Sequence, residues 1–233
     1  RTARQRNERN AQRTGNARAS ETAATANDTT TSGNNNGATQ TTAATSTAGN
    51  EPGKHHGKGQ KVDPQVVQQV KSQHVNFKAQ PKPERVPAVT FNQNYRINGA
   101  QNWQGTHYEV FRNYHPQWHD QSWYRSHYPQ VQIIAGGAYY FSNGFWFPAW
   151  GYNPSYQYYA YDAPIYVGRS AEPPDRVIAD VQAVLQQEGY YKGEVDGLLG
   201  PLTREALTQY QSDNGLYATA TIDEPTLSSL NLG

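Results

Sequence analysis

Between residues 177 and 230 the apolar side chains fall into three short blocks at helical spacing. Val177, Ile178, Val181, Val184 and Leu185 recur at i, i+1, i+4, i+7 and i+8, which is one stripe of a helix. Asp175 is suited to cap its start and Gly189 to stop it. A second helix is predicted from Pro201, a residue favoured in the first turn, to about Asn214. Its apolar face is Leu202, Ala206, Leu207 and Tyr210, and Gly215 ends it. A third runs from Asp223 as N-cap through Leu227 and Leu230. None of these stripes can be buried by its own helix, so residues 173–233 are expected to pack as an all-α three-helix bundle.

The rest of the chain obeys different rules. Only 35% of the 233 residues are hydrophobic and the mean hydropathy is −0.91, so much of the chain lies outside any packed core. Residues 1–60 are low complexity, with Thr, Ala, Asn, Gly and Ser dominating 21–50. Too few large apolar groups are present there to offset the entropy of ordering, which predicts a disordered tether. Its first 20 residues hold six Arg and one Glu but no aromatic residue to stack on bases, so no specific nucleic-acid partner is expected. Residues 61–90 read as a linker. Val62, Val66, Val67 and Val70 suit a short helix over 64–75, and Pro81, Pro83 and Pro87 then force an extended path.

Residues 91–168 hold 23 aromatic side chains, including every Trp. Tyr108, Phe111, Tyr114 and Trp118 are three or four apart and suit a helix, with Pro116 as a breaker. From 131 to 150 two β-prone runs flank Asn143-Gly144, a strong hairpin signal because both residues accept positive φ. Residues 152–168, rich in Tyr and Pro, read as an extended cover or linker. The fold class is therefore α+β in several parts: tether, aromatic-rich α+β region with a hairpin, helical bundle. The aromatics have three readings, ranked as compact core, then self-association interface, then sugar-stacking surface.

Charge follows the same division. The net charge is +4 over 1–60, +4 over 61–170 and −7 over 171–233. Absence of Cys excludes disulfides, thiolate zinc sites and a thiol nucleophile. Absence of Met marks a processed or trimmed start, and removal of an export leader would account for it. No apolar run approaches the ~18 residues that a membrane-spanning helix needs.

One stretch carries a specific resemblance. Leu185-Gln186, Gly189-Tyr190, Gly193, Asp196-Gly197, Gly200, Thr203, Ala206-Leu207, Gln211, Gly215-Leu216 and Thr226-Leu227 agree in order and spacing with the peptidoglycan-binding-like domain family. The resemblance covers roughly residues 174–231, and Tyr210 stands where Phe is commoner in the family. It implies non-covalent binding of peptidoglycan, by glycan or stem peptide, in an exported protein of the periplasm or cell surface. Tyr190, Tyr191 and Tyr217 are the candidates to stack on sugar faces. Asp196, Thr203 and Gln211 are the candidates to hydrogen-bond peptide amides. Each also has a structural reading, inside the loops and first helical turns. Strings at 89–96, 103–105, 136–141 and 147–151 resemble uncharacterised exported bacterial proteins that carry the same C-terminal module, which implies no activity.

No catalytic residue, cofactor or metal is expected. His115 and His119 are four apart, but Pro116 lies between them and no further ligand is fixed by spacing. Glu109, Asp120 and Asp162 are the only acids in 91–168, and no motif surrounds them. The rival classes are a self-assembling surface protein anchored to the wall and an accessory or catalytic part of a wall hydrolase.

Overall fold

Two-residue turns and glycine stops set the architecture of residues 62–233, which are the residues that the computed structural model describes. The expected tether over 1–60 lies outside them. The element order is α1 (Pro64–Gln73), two single 3₁₀ turns (Ala100–Asn102 and Thr106–Tyr108), α2 (Glu109–Arg112), α3 (Gln121–His127), β1 (Val131–Ile134), β2 (Gly137–Ser142), β3 (Phe145–Pro148), β4 (Ile165–Tyr166), α4 (Pro174–Gln187), α5 (Pro201–Asp213) and α6 (Glu224–Ser229). The fold class is α+β, as expected.

The four strands form one antiparallel sheet in the order β1-β2-β3-β4. The Asn143-Gly144 turn joins β2 to β3 with both residues at positive φ, 49° and 87°. A second turn of the same kind joins β1 to β2 through Ala135 at 48° and Gly136 at 88°. The expected hairpin is thus a three-stranded meander, because Val131–Ile134 folds back instead of continuing into β2. Residues 152–168, expected as cover, contribute β4 against β3. The helix expected over 108–118 closes at Arg112, four residues short of Pro116.

The helical region matches its pattern with two corrections. Gly189 and Gly215 stop α4 and α5 at φ 82° and 71°. In both, the next amide reaches back to the helix: Tyr190 N to Leu185 O and Leu216 N to Gln211 O, each 2.8 Å. Asp223 caps α6 by accepting from Thr226 N. Asp175, however, does not cap α4. It sits inside the first turn, buried, and accepts from Ala79 N at 3.0 Å. Leu202 is 61% exposed, because α5 turns Thr203, Ala206, Leu207, Tyr210 and Gln211 inward and leaves its second residue in solvent.

One cluster of buried side chains contains Val62 just before α1 and Val70 within it, Trp146 and Ile165 of the sheet, Leu185 of α4, Leu207 of α5 and Leu230 just after α6. Helix α1 packs on α4, where His74 Nδ1 meets Asp180 Oδ1 at 2.7 Å. Lys71 Nζ donates to Leu232 O, and Asn231 Nδ2 donates to Val62 O. The indole N–H of fully buried Trp146 donates to Glu172 O, which ties β3 to the approach of α4. Each large apolar side chain buried this way contributes ~2–3 kcal/mol.

Gly197 is where three segments close on one another. Its φ is +69°, and a Cβ there would lie 2.5 Å from the Phe77 ring and 2.7 Å from Asp175 O. The backbone oxygen cannot move without unseating α4. Gly197→Ala is therefore expected to cost about 2–4 kcal/mol. Urea denaturation measures it; a loss below roughly 0.5 kcal/mol would show that the segments are not closely packed there.

Candidate functional site

The loops of the helical region are each built around a buried glutamine. Gln182, fully buried on α4, accepts from the amides of Asp196 (3.0 Å) and Gly197 (2.8 Å). Its Nε2 donates to Asp196 Oδ1 (2.8 Å), Thr203 Oγ1 (2.9 Å) and Leu198 O (3.1 Å). Gln211 repeats this on α5. It accepts from Ala220 N (3.0 Å) and donates to Thr219 Oγ1, Thr226 Oγ1 and Thr221 O at 2.8, 2.9 and 3.0 Å. Thr203 and Thr226 are each the third residue of the following helix. One device, a helix-borne amide clamping the next loop and the next helix start, thus occurs twice. Buried loop amides need such partners, since an orphaned one costs ~1–3 kcal/mol.

This places four of the six expected ligand residues inside the protein. Thr203 and Gln211 are buried in the two clamps. Asp196 is buried and accepts from Gln182 and from Leu198 N (3.0 Å). The Tyr191 hydroxyl donates to Glu194 O at 2.7 Å, and the ring packs over Gly193. Gln182, absent from the expected set, is the residue that joins them. Its signal is a glutamine on one helix and a threonine third in the next, 21 residues on for Gln182 and 15 for Gln211.

The other two are accessible. Tyr190 is half-buried, lies edge-on to Tyr210 at 5.4 Å, and donates to Asp213 Oδ2 at 3.2 Å. Partial burial, then Asp213, push its hydroxyl up to about 12. Tyr217 is 40% exposed, with its ring edge-on to buried Tyr108 at 5.2 Å. Both flank the C-terminal end of α5, and exposed Lys192 follows Tyr190 closely in the chain. Each tyrosine presents an anchored phenol ring, and the charged groups nearest Tyr190 are the acids Asp213 and Glu188.

The histidines are dispersed. His119 and His127 both stack on Trp123, at 3.6 and 4.0 Å between ring centres. His107 meets Glu224 at 2.7 Å, and His115 is exposed. Among the described residues no group of three His, Cys, Asp or Glu is placed to hold a metal ion.

Residues 176–230 match the family described as a putative peptidoglycan binding domain. The match spans α4 to α6 with both glutamine clamps, so the clamped loops and the tyrosines at the end of α5 belong to this domain. A domain of that kind implies association with the cell wall. Among curated proteins, the chain is 45% identical over 51 residues to the localization factor PodJL of Caulobacter vibrioides, in each of two strains. The aligned part is 22% of this chain and 5% of that protein, so the chain spans only a small fraction of these relatives. No solved structure matches. Among the described residues no helix is long and apolar enough to cross a membrane.

Proposed function

We propose that this chain is a non-catalytic protein of the cell envelope that holds peptidoglycan through its C-terminal domain. The observation that carries the reading is the family match over residues 176–230. Thr203, Asp196 and Gln211 shape the loops, and Tyr190 and Tyr217 are the contacts that reach a polymer outside. On this reading the protein is exported and works in the periplasm or at the cell surface, where peptidoglycan is found. It takes no cofactor, and its partner is the glycan or the stem peptide of the wall.

Deleting the domain is a poor test, because α1 and the sheet share its core and would be stripped. Two exposed-side substitutions serve better. Tyr190→Ala combined with Tyr217→Ala is expected to lower cosedimentation of the full chain with purified insoluble peptidoglycan by several-fold. Its far-ultraviolet circular dichroism is expected to stay that of the parent. A parent chain that stays in the supernatant removes the function, and a variant that sediments like the parent removes these two tyrosines from it.

A further inference from the structure

We propose a second, separate ligand site in the aromatic region: a cleft built on Trp118 and Trp150 that takes a neutral, N-acetylated pyranose chain. It has a volume of about 300 Å³, at the small end of ligand sites. Trp150 is buried and forms the floor, 4.2 Å from the Tyr159 ring and 5.9 Å from Phe91. Trp118 forms the wall and is 61% exposed, which is unusual for so costly an apolar group.

That exposure does not come from looseness. Trp118 Nε1 and Cε2 lie 2.6 and 2.7 Å from where a Cβ on Gly151 would stand, so only glycine admits the ring against the backbone. The Phe91 edge meets it at 5.2 Å. The chain on either side is fastened to the floor. His119 N donates to Trp150 O at 3.0 Å, while the Tyr124 hydroxyl is within 3.1 Å of Gln117 O and 3.2 Å of Trp150 O. An indole face held rigid while facing water has already lost its side-chain entropy, and that preorganisation favours a flat apolar ligand face.

The rim decides what kind of face. Asn153 and Gln157 line the cleft beside Thr90, and no lining residue is charged. Asn153 spends its oxygen on Ser155 N and Gln157 its NH₂ on Pro154 O. The Asn153 NH₂ and the Gln157 carbonyl oxygen remain, one donor group and one acceptor. A phosphate or a peptide carboxylate finds no counter-charge here, and a lipid would bury both amides unpaired at a cost. A pyranose presents an apolar C–H face to Trp118 and hydroxyls to the rim, and an acetamide offers the C=O and N–H that match the two free amide groups. The choice of an N-acetylated strand rests on the envelope function above; the stacking cleft itself does not.

The test is calorimetric titration of the full chain with chitotetraose, a neutral N-acetylated tetrasaccharide. Saturable binding is expected, weakened roughly tenfold or more by Trp118→Ala and partly restored by Trp118→Tyr. The Trp118→Ala ring loss is at an exposed position, so its melting temperature should stay with the parent's. No binding by the parent, equal binding by Trp118→Ala, or a Trp118-dependent titration by a synthetic stem peptide would each overturn the proposal. Retention on insoluble peptidoglycan through Tyr190 and Tyr217 is read in the other experiment, so failure of one claim is visible apart from failure of the other.

Discussion

Raising the pH from 10 to 12 is expected to unfold residues 62–233 in one cooperative step. Eight tyrosines are buried to 7% exposure or less and have raised phenol values, and six of them are raised furthest: Tyr108, Tyr114, Tyr124, Tyr139, Tyr159 and Tyr161. Burial is the leading cause in all six. It lifts Tyr108, Tyr159 and Tyr161 from 10.0 to about 12 and the others further. A folded value raised above the unfolded one means that the folded state holds the proton more tightly. The contribution is therefore whole below 10 and is lost as the pH climbs toward the folded values. Each such group removes ~1.4 kcal/mol per pH unit in that window, and six together remove of order 8 kcal/mol per unit. That is comparable with the whole stability of a domain, ~5–15 kcal/mol. Tyrosinate absorbance and far-ultraviolet circular dichroism should thus change together and steeply between pH 10 and 12. A gradual tyrosine titration centred at 10, with circular dichroism intact to 12, would show that the rings are not shielded as the fold requires.

The same burial explains what could and could not be read in the sequence. Helices α4, α5 and α6 were legible because their signals are local: an apolar stripe, a first-turn Pro, a Gly stop. The β2–β3 turn was legible through Asn143-Gly144. The β1–β2 turn was not, because it uses Ala135, a residue that rarely takes positive φ and does so here only with Gly136 behind it. Strand β4 has two residues, too few to show a period. Spacing alone turns Leu202 inward, but Thr203 is drawn into the Gln182 clamp and sets the rotation of the first turn. By spacing Trp118 joins Tyr108, Phe111 and Tyr114 in one helical run. Its exposure depends on Gly151 and Phe91, which are remote in the chain. Among the expected ligand residues, hydrogen-bonding capacity was visible and direction was not. Asp196, Thr203 and Gln211 have the right groups, yet their partners are loop amides and carbonyls and one another's clamps.

Gln182→Leu and Gln211→Leu turn that distinction into a measurement. Leucine keeps most of the volume and removes every polar atom. In Gln182→Leu the amides of Asp196 and Gly197 lose their acceptor, and Leu198 O and Thr203 Oγ1 lose a donor. In Gln211→Leu the same happens to Ala220 N, Thr221 O and two threonine hydroxyls. These groups are buried or nearly so, and water cannot replace the amide without opening the loop. Each substitution is expected to cost about 3–5 kcal/mol. For a chain of this size that is a fall in melting temperature on the order of 10 °C. The two variants should fail alike, because the two clamps are one device. Peptidoglycan retention should follow the folded fraction and no more: at temperatures where Gln211→Leu is still folded it should sediment with the wall as the parent does. If Gln211→Leu melts like the parent but no longer sediments, Gln211 is a ligand contact and its role as a loop clamp falls. If it melts early and sediments normally while folded, the polymer is held by the tyrosines at the end of α5, with the glutamine acting only through the loop that carries Tyr217.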